Sequence, residues 1–260
     1  MKKLFVFLTD LALMTLPLLT ASETVTAQLA QHVELVGQIG GSVSAVALQG
    51  NYAYVGVGPR LVILNISDPA HPAVAGQTDL LPVAVRDVAV SGDYAYVADK
   101  EGGLRIVNVS DPAHPVETGF YKAPSSAWGV TVSGAYAYVT DVWEGLRIVD
   151  VSNPMHPTET GFYDTPVRAR NVMVRGNYAY VTDGEAGLRI VDVSDPTAPV
   201  EAGFYATPGR AEGVTVRGNY AYVADYDGGL RIVDVSNPAA PAGVGFRDTP
   251  GNALDIAVSG

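Results

Sequence analysis

Four aspartates, Asp99, Asp141, Asp183 and Asp225, recur at one spacing, with Glu144, Glu185 and Asp227 close to three of them. Carboxylates crowded on a loop could hold calcium. A calcium loop needs a longer series of spaced oxygens than the two carboxylates each loop offers. The expected role is an Asp that accepts from backbone amides and fixes a turn. Arg105, Arg147, Arg189 and Arg231 recur in the same way. They could ring an anion. A buried guanidinium is normally paired, so the expectation is a contact with Asp150, Asp192 or Asp234 of a neighbouring repeat. His71, His114 and His156 sit in DPxHP or NPxHP turns of successive repeats. Equivalent points of different repeats are too far apart to share a metal, whose bonds to His nitrogen are only about 2 Å. They read as turn surface. There is no cysteine, which removes disulfides, thiolate metal sites and thiol nucleophiles. No nucleophile elbow, P-loop or HExxH motif is present. The residues predict no catalytic group, no metal and no cofactor.

The elements that carry these residues are copies of one another. GNYAYVGV, GDYAYVAD, GAYAYVTD, GNYAYVTD and GNYAYVAD start at Gly50, Gly92, Gly134, Gly176 and Gly218, always 42 residues apart. Each is followed by a second phrase, worn at Arg60 (RLVILNISDPAHP) and clear at Gly103, Gly145, Gly187 and Gly229 (GLRIVDVSDPTAP at Gly187). A fixed period of this size marks a repeat architecture. Each repeat holds four short runs of β-branched and aromatic residues, punctuated by Gly, Pro, Asn and Asp. In the fourth repeat these are 171–174, 178–182, 188–193 and 200–205. Gly with Asn or Asp supplies the positive φ of a tight hairpin between the first two strands. Ser-Asp-Pro or Ser-Asn-Pro turns the chain between the third and fourth.

In Leu188 to Val193 one face carries Leu188, Ile190 and Asp192, and the other Arg189, Val191 and Val193. Both faces are largely apolar, so each sheet must be covered on both sides. Four-stranded units of this length, covered by copies of themselves, are the blades of an all-β protein, a β-propeller. Five complete blades are expected, at 43–78, 85–121, 128–163, 170–205 and 212–247. Parts of a sixth are expected at 33–39, as an outer strand, and at 254–258, as an inner strand. The chain reads as ending in mid-blade. About 18 more residues would complete a six-bladed ring with no open edge.

The phrases LRIVD and GNYAYVAD resemble the LVIVD-repeat family over residues 33–260. The resemblance implies a secreted or surface-exposed β-propeller of bacteria or archaea. It brings no common reaction and no active site. The first repeat departs from the pattern at Val57-Gly58-Pro59-Arg60, which lacks the Asp.

Residues 1–27 read as a secretory signal peptide. Lys2 and Lys3 open it, a largely apolar run follows to Leu19, and Val25-Thr26-Ala27 offers a cleavage pattern, with a cut after Ala21 as the alternative. Asp10 and Pro17 interrupt the apolar run, against a stable spanning helix. Residues 28–260 then form the propeller. The formal net charge of −11 disfavours nucleic acid as a partner. A secreted or cell-surface monomer is expected, with no membrane span after cleavage.

What varies between repeats is free to serve function. The fourth-to-first connections differ most, at 79–85, 122–127, 164–169, 206–211 and 248–252. These and the second-to-third loops should open on one end of the ring. Trp128, Trp143, Arg168, Arg170, Arg210, Glu212 and Tyr226 lie there, and Trp, Tyr and Arg are the usual interface anchors. The expectation is a non-enzymatic scaffold that binds a protein or glycan at the cell surface. The alternative is an exported propeller enzyme of the lactonase or quinoprotein type, with a site at the central channel. Asp87, Asn171 and Asp255, which begin first strands, are its candidates.

Overall fold

The hairpin signals and the double-faced strands lead to five antiparallel sheets, each of four strands. A computed structural model describes residues 43–258. The expected signal peptide and the expected strand at 33–39 lie outside the described residues. The first sheet is β1 (Val43–Gln49), β2 (Tyr52–Val57), β3 (Arg60–Asn65) and β4 (Ala73–Gln77); the second is β5 (Asp87–Ser91), β6 (Tyr94–Ala98), β7 (Leu104–Asn108) and β8 (Val116–Tyr121). The third is β9 (Ala127–Ser133), β10 (Tyr136–Asp141), β11 (Gly145–Asp150) and β12 (Thr158–Tyr163). The fourth is β13 (Asn171–Arg175), β14 (Tyr178–Thr182), β15 (Leu188–Asp192) and β16 (Val200–Tyr205). The fifth is β17 (Gly213–Arg217), β18 (Tyr220–Ala224), β19 (Leu230–Asp234) and β20 (Ala242–Arg247). Strands are ordered in space as in sequence. First strands of successive sheets lie side by side, β1 on β5, β5 on β9, β9 on β13 and β13 on β17. The sheets therefore fan outward from one axis as the blades of a β-propeller, with fourth strands at the periphery.

The core lies between blades, and each interface repeats one recipe. Leu61 and Ile63 of β3 pack on Val88, Val97 and Val107 of the second blade. Leu104 and Ile106 of β7 meet Val130, Val139 and Val149 of the third. Leu146 with Ile148, and Leu188 with Ile190, do the same against the fourth and fifth. The third strand thus shows Leu and Ile to the following blade and Val to the preceding one. Large side chains fill the space that small ones leave. All eight of these Leu and Ile side chains are wholly buried, and each contributes about 1.5–3 kcal/mol.

At the periphery the blades come close. A Cβ on Gly119, Gly161 or Gly203 would stand 2.1, 2.2 or 2.4 Å from the carbonyl oxygen of Pro154, Pro196 or Pro238 of the following blade. The fourth strand also bulges one residue earlier in sequence, since Gly119 faces Ile106 while Glu117 faces Val107. A bulge adds twist to an outer strand.

Residues 254–258 differ from expectation. They form no strand, and the nearest ladder contact is the bridge from the residue before them, Ala253, to Tyr226. A first strand takes its ladder from the second strand of its own blade, and the described residues hold no such partner. The segment still occupies the place of an inner strand. Leu254 and Asp255 lie against Gly213 as Arg170 and Asn171 lie against Gly129.

Candidate functional site

Antiparallel order puts the first-to-second and third-to-fourth turns at one end of the propeller. The second-to-third loops and the fourth-to-first connections share the other. At that second end the loops of three blades are tied to the start of the next blade. Lys100 bridges Ala127, Gly184 bridges Ala211 and Tyr226 bridges Ala253. The recurrent aspartates secure the same junction from within. Asp99, Asp141, Asp183 and Asp225 are fully buried. Asp141 accepts from Ser125 N at 2.7 Å and Ser126 N at 3.1 Å, Asp183 from Val167 N at 3.1 Å, and Asp225 from Gly209 N at 2.9 Å. Burial raises the carboxyl pKa of Asp99 and Asp183, against the lowering pull of the donated bonds and the adjacent arginines. These carboxylates fix turns.

The arginine row corrects an expectation. Arg105, Arg189 and Arg231 do not reach Asp150, Asp192 or Asp234. Their Nε atoms lie 3.7, 3.9 and 3.5 Å from Asp99, Asp183 and Asp225 of their own blades. The reason is strand parity. Arg105 pairs with Val97 across the ladder, so Asp99, two residues on, shares its face. Each guanidinium also covers a phenylalanine of its own fourth strand, Arg105 on Phe120 at 4.8 Å and Arg189 on Phe204 at 4.6 Å. Asp150, Asp192 and Asp234 instead accept from Ser152, Ser194 and Ser236 and shape the Ser-Asx-Pro turn. His71 and His114 are exposed in that turn, each 2.8 Å from an Asp three residues earlier.

The inner edge of the loop end is built from one repeat position. Arg86, Trp128, Arg170 and Glu212 stand 42 residues apart. Their backbones are pinned to ladder ends: Arg86 N donates to Ala98 O at 2.7 Å, Arg170 N to Thr182 O at 2.8 Å and Glu212 N to Ala224 O at 2.8 Å. Hydroxyls of the preceding blade hold two of them again, Thr140 donating to Arg170 O at 3.1 Å and Thr182 to Glu212 O at 2.9 Å. Trp128 is the extra residue of a bulge, because Thr140 faces Gly129 while Asp141 faces Ala127. The guanidiniums of both neighbouring blades lie over its ring, Arg86 at 4.3 Å and Arg170 at 5.0 Å from the centroid. Arg170 Nε is 4.0 Å from Glu212 Oε1, and Arg210 Nε is 2.5 Å from the same oxygen.

Two further stacks extend outward. Arg168 lies 4.3 Å over Trp143, which is 60% exposed, and Arg210 lies 4.1 Å over Tyr226. Arg168 and Arg210 flank Gly184. Tyr226 is held at φ 49°, a left-handed backbone that costs a side-chain-bearing residue about 1 kcal/mol. All seven residues expected at this end are there. Trp128, Arg170, Glu212, Arg210 and Tyr226 form one connected chain of contacts, with Arg168 and Trp143 beside it. Arg86 escaped the sequence reading. Its signal was its offset of one repeat from Trp128.

One residue further on, Asp87, Asn171 and Asp255 line the axis. Asp87 Oδ2 accepts from Val130 N of the next blade at 2.9 Å, and Oδ1 accepts from Val88 N at 2.8 Å. Burial dominates over these bonds and, with the charge of Asp255, pushes its carboxyl up to about 7. Asp255 is more exposed at its surface, yet enough protein surrounds it that burial raises its carboxyl as well. Among the described residues no three His, Asp or Glu side chains gather into a metal-holding group.

Solved structures share this fold at low identity. The computationally designed Ika8 protein superposes with a TM-score of 0.66 at 10% identity, over 84% of this chain and 66% of its own. The WD40 repeats of RRP9 give 0.63 at 9%, over 79% of this chain and 64% of theirs. The Cps50 (Swd1) β-propeller domain of Myceliophteria thermophila gives 0.65 at 12%, over 81% and 73%. This chain thus spans just under two thirds of the first two. At such identity the likeness shows the fold alone. None of the curated proteins is significantly similar in sequence. The LVIVD repeat pattern matches residues 40–79, 84–123, 124–165, 168–207 and 208–249, one match per blade. The chain belongs to the LVIVD repeat family.

Proposed function

We propose that this protein is an exported, non-enzymatic scaffold that binds a protein or glycan partner at the cell surface through the loop end of its propeller. The observation that supports it most is the connected run of arginine–aromatic stacks and ion pairs across the inner edge of that end, from Arg86 through Trp128, Arg170, Glu212 and Arg210 to Tyr226. Stacked aromatics and arginines give contact area and directed hydrogen bonds with little side-chain freedom left to lose. They stand in an otherwise acidic chain. Export rests on the leader pattern at 1–27. The test is binding of the purified protein to washed cell envelopes of the producing organism. Trp143→Ala with Arg168→Ala should weaken binding at least about tenfold, as loss of interface anchors does, while Asp68→Asn in the opposite turn leaves it unchanged. Equal binding by both variants would refute the reading.

A second reading has one observation in its favour. Asp87, with its carboxyl at about 7, lies within electrostatic reach of Asp255 on the axis, a pairing a hydrolase could use. A metal-dependent version of that enzyme finds no donor group among the described residues.

A further inference from the structure

The cations at the inner edge are not matched where they stand. Among the described residues, the Arg86 guanidinium stacks on Trp128 and has no hydrogen-bonded or ion-paired partner. Burial and the charge of Arg170 both work against its own charge, and Glu212 and Asp87 support it only at a distance. Arg170 Nε is buried with no hydrogen bond. Glu212, the carboxylate that ion-pairs here, sits closer to Arg210 than to Arg170. Among the described residues Glu212 is thus the one carboxylate within ion-pair distance of these three guanidiniums, with Asp87 acting on Arg86 only through space, and Trp128 holds two of them in fixed planes. Like charges held together in a partly dry place are relieved by an incoming anion. The layer below has the opposite character. Asp87, Asn171 and Asp255 present oxygen acceptors, and the Asn171 side chain has no protein partner among the described residues. Forked donors at the entrance above acceptors on the axis fit a rigid ring that carries a carboxylate and hydroxyls. An acidic peptide fits less well, because it brings further carboxylates towards Asp255 and no hydroxyls for the acceptors.

We propose that the inner edge binds an acidic saccharide, its carboxylate held by Arg86 and Arg170 and its ring hydroxyls by Asp87, Asn171 and Asp255. This rests on the reading that the loop end is the binding face, and it names the ligand class. Trp128 and Trp143 are the only tryptophans, so fluorescence reports on this end. The full chain is titrated with a short oligogalacturonate, its methyl ester and a short polyglutamate. The expected result is saturable binding of the oligogalacturonate. It should weaken about 10–100-fold with the methyl ester and in Arg86→Gln or Arg170→Gln, the range for losing a charge-assisted hydrogen bond. Arg86→Lys, which keeps the charge and loses the fork, should fall between. Thermal unfolding of each variant separates lost binding from lost folding. No saturable binding, unchanged affinity in folded Arg86→Gln, or polyglutamate binding as tightly would each overturn the assignment. Envelope binding that survives such a result overturns only the saccharide. Envelope binding lost in the wild type overturns the loop-end reading itself.

Discussion

Asp87 shows how much one side chain's setting matters. Its carboxyl, ordinarily near 4, is pushed to about 7, chiefly by burial. The folded protein therefore holds that proton more tightly than the unfolded chain does. The stability this contributes is full below about pH 4 and is lost as the pH rises through about 7. Asp87→Asn should remove that slope, so that between pH 4 and pH 8 its stability relative to wild type rises by about 1–2 kcal/mol after allowance for solvent at the axis, on top of a pH-independent cost for the one backbone N–H its amide nitrogen does not accept. Urea unfolding at the two pH values checks it. Asp183 is a different case. Asp183→Ala leaves Val167 N–H without its acceptor and Arg189 with Glu201 alone of its two carboxylates, and should cost about 2–4 kcal/mol. Thermal or urea unfolding reads that loss. The turn-fixing role of these aspartates was legible in sequence, because Asp beside Gly in a short loop has few other uses. The partners of the arginine row were not. They depend on which residues share a strand face across two ladders, and a wrong sheet is easily chosen from spacing alone. Arg86 was hidden because its position carries no common residue type, Arg, Trp, Arg and Glu in successive blades.

Between blades, the small features of the fourth strand decide the fit. Tyr121 and Tyr163 each donate their hydroxyl to a glutamate of the next blade, Glu159 and Glu201, the second at 2.5 Å. At the next step Gly243 replaces the glutamate, and the Tyr205 hydroxyl occupies the space a side chain would need. Tyr163→Phe should thus cost about 1–2 kcal/mol as a lost charge-assisted bond, whereas Tyr205→Phe should be near neutral. Comparison of the two unfolding midpoints decides it. Gly161→Ala puts a methyl 2.2 Å from Pro196 O, a backbone atom that cannot swing aside. It should destabilise by about 1–3 kcal/mol, and the same change in Gly251, with open space around it, should cost far less. The strands themselves were readable almost to the residue, since β-branched runs between Gly and Pro leave little freedom. The expected strand at 254–258 was the exception. Its residue pattern is right, and its ladder partner is missing from the described residues.

For the molecule as a whole, repetition makes the scaffold and broken repetition makes the surface. The inter-blade core repeats from interface to interface, while the position occupied by Arg86, Trp128, Arg170 and Glu212 changes at each blade. A period in sequence reveals the first and, by subtraction, points to the second. It reveals which residues share an end of the propeller, but not which of them touch, since stacking depends on rotamers that no spacing encodes. Under the proposed function, the partner lands on the loop end. Hydrogen exchange of the full chain, with and without saturating envelope material, tests it most directly. Exchange should slow in 122–128, 141–145, 164–170, 183–187, 206–212 and 225–229, with no change in the hairpins around Gly92, Gly134 and Gly176 or in the Ser-Asx-Pro turns. Protection confined to those hairpins and turns, with the loop end unchanged, would contradict it.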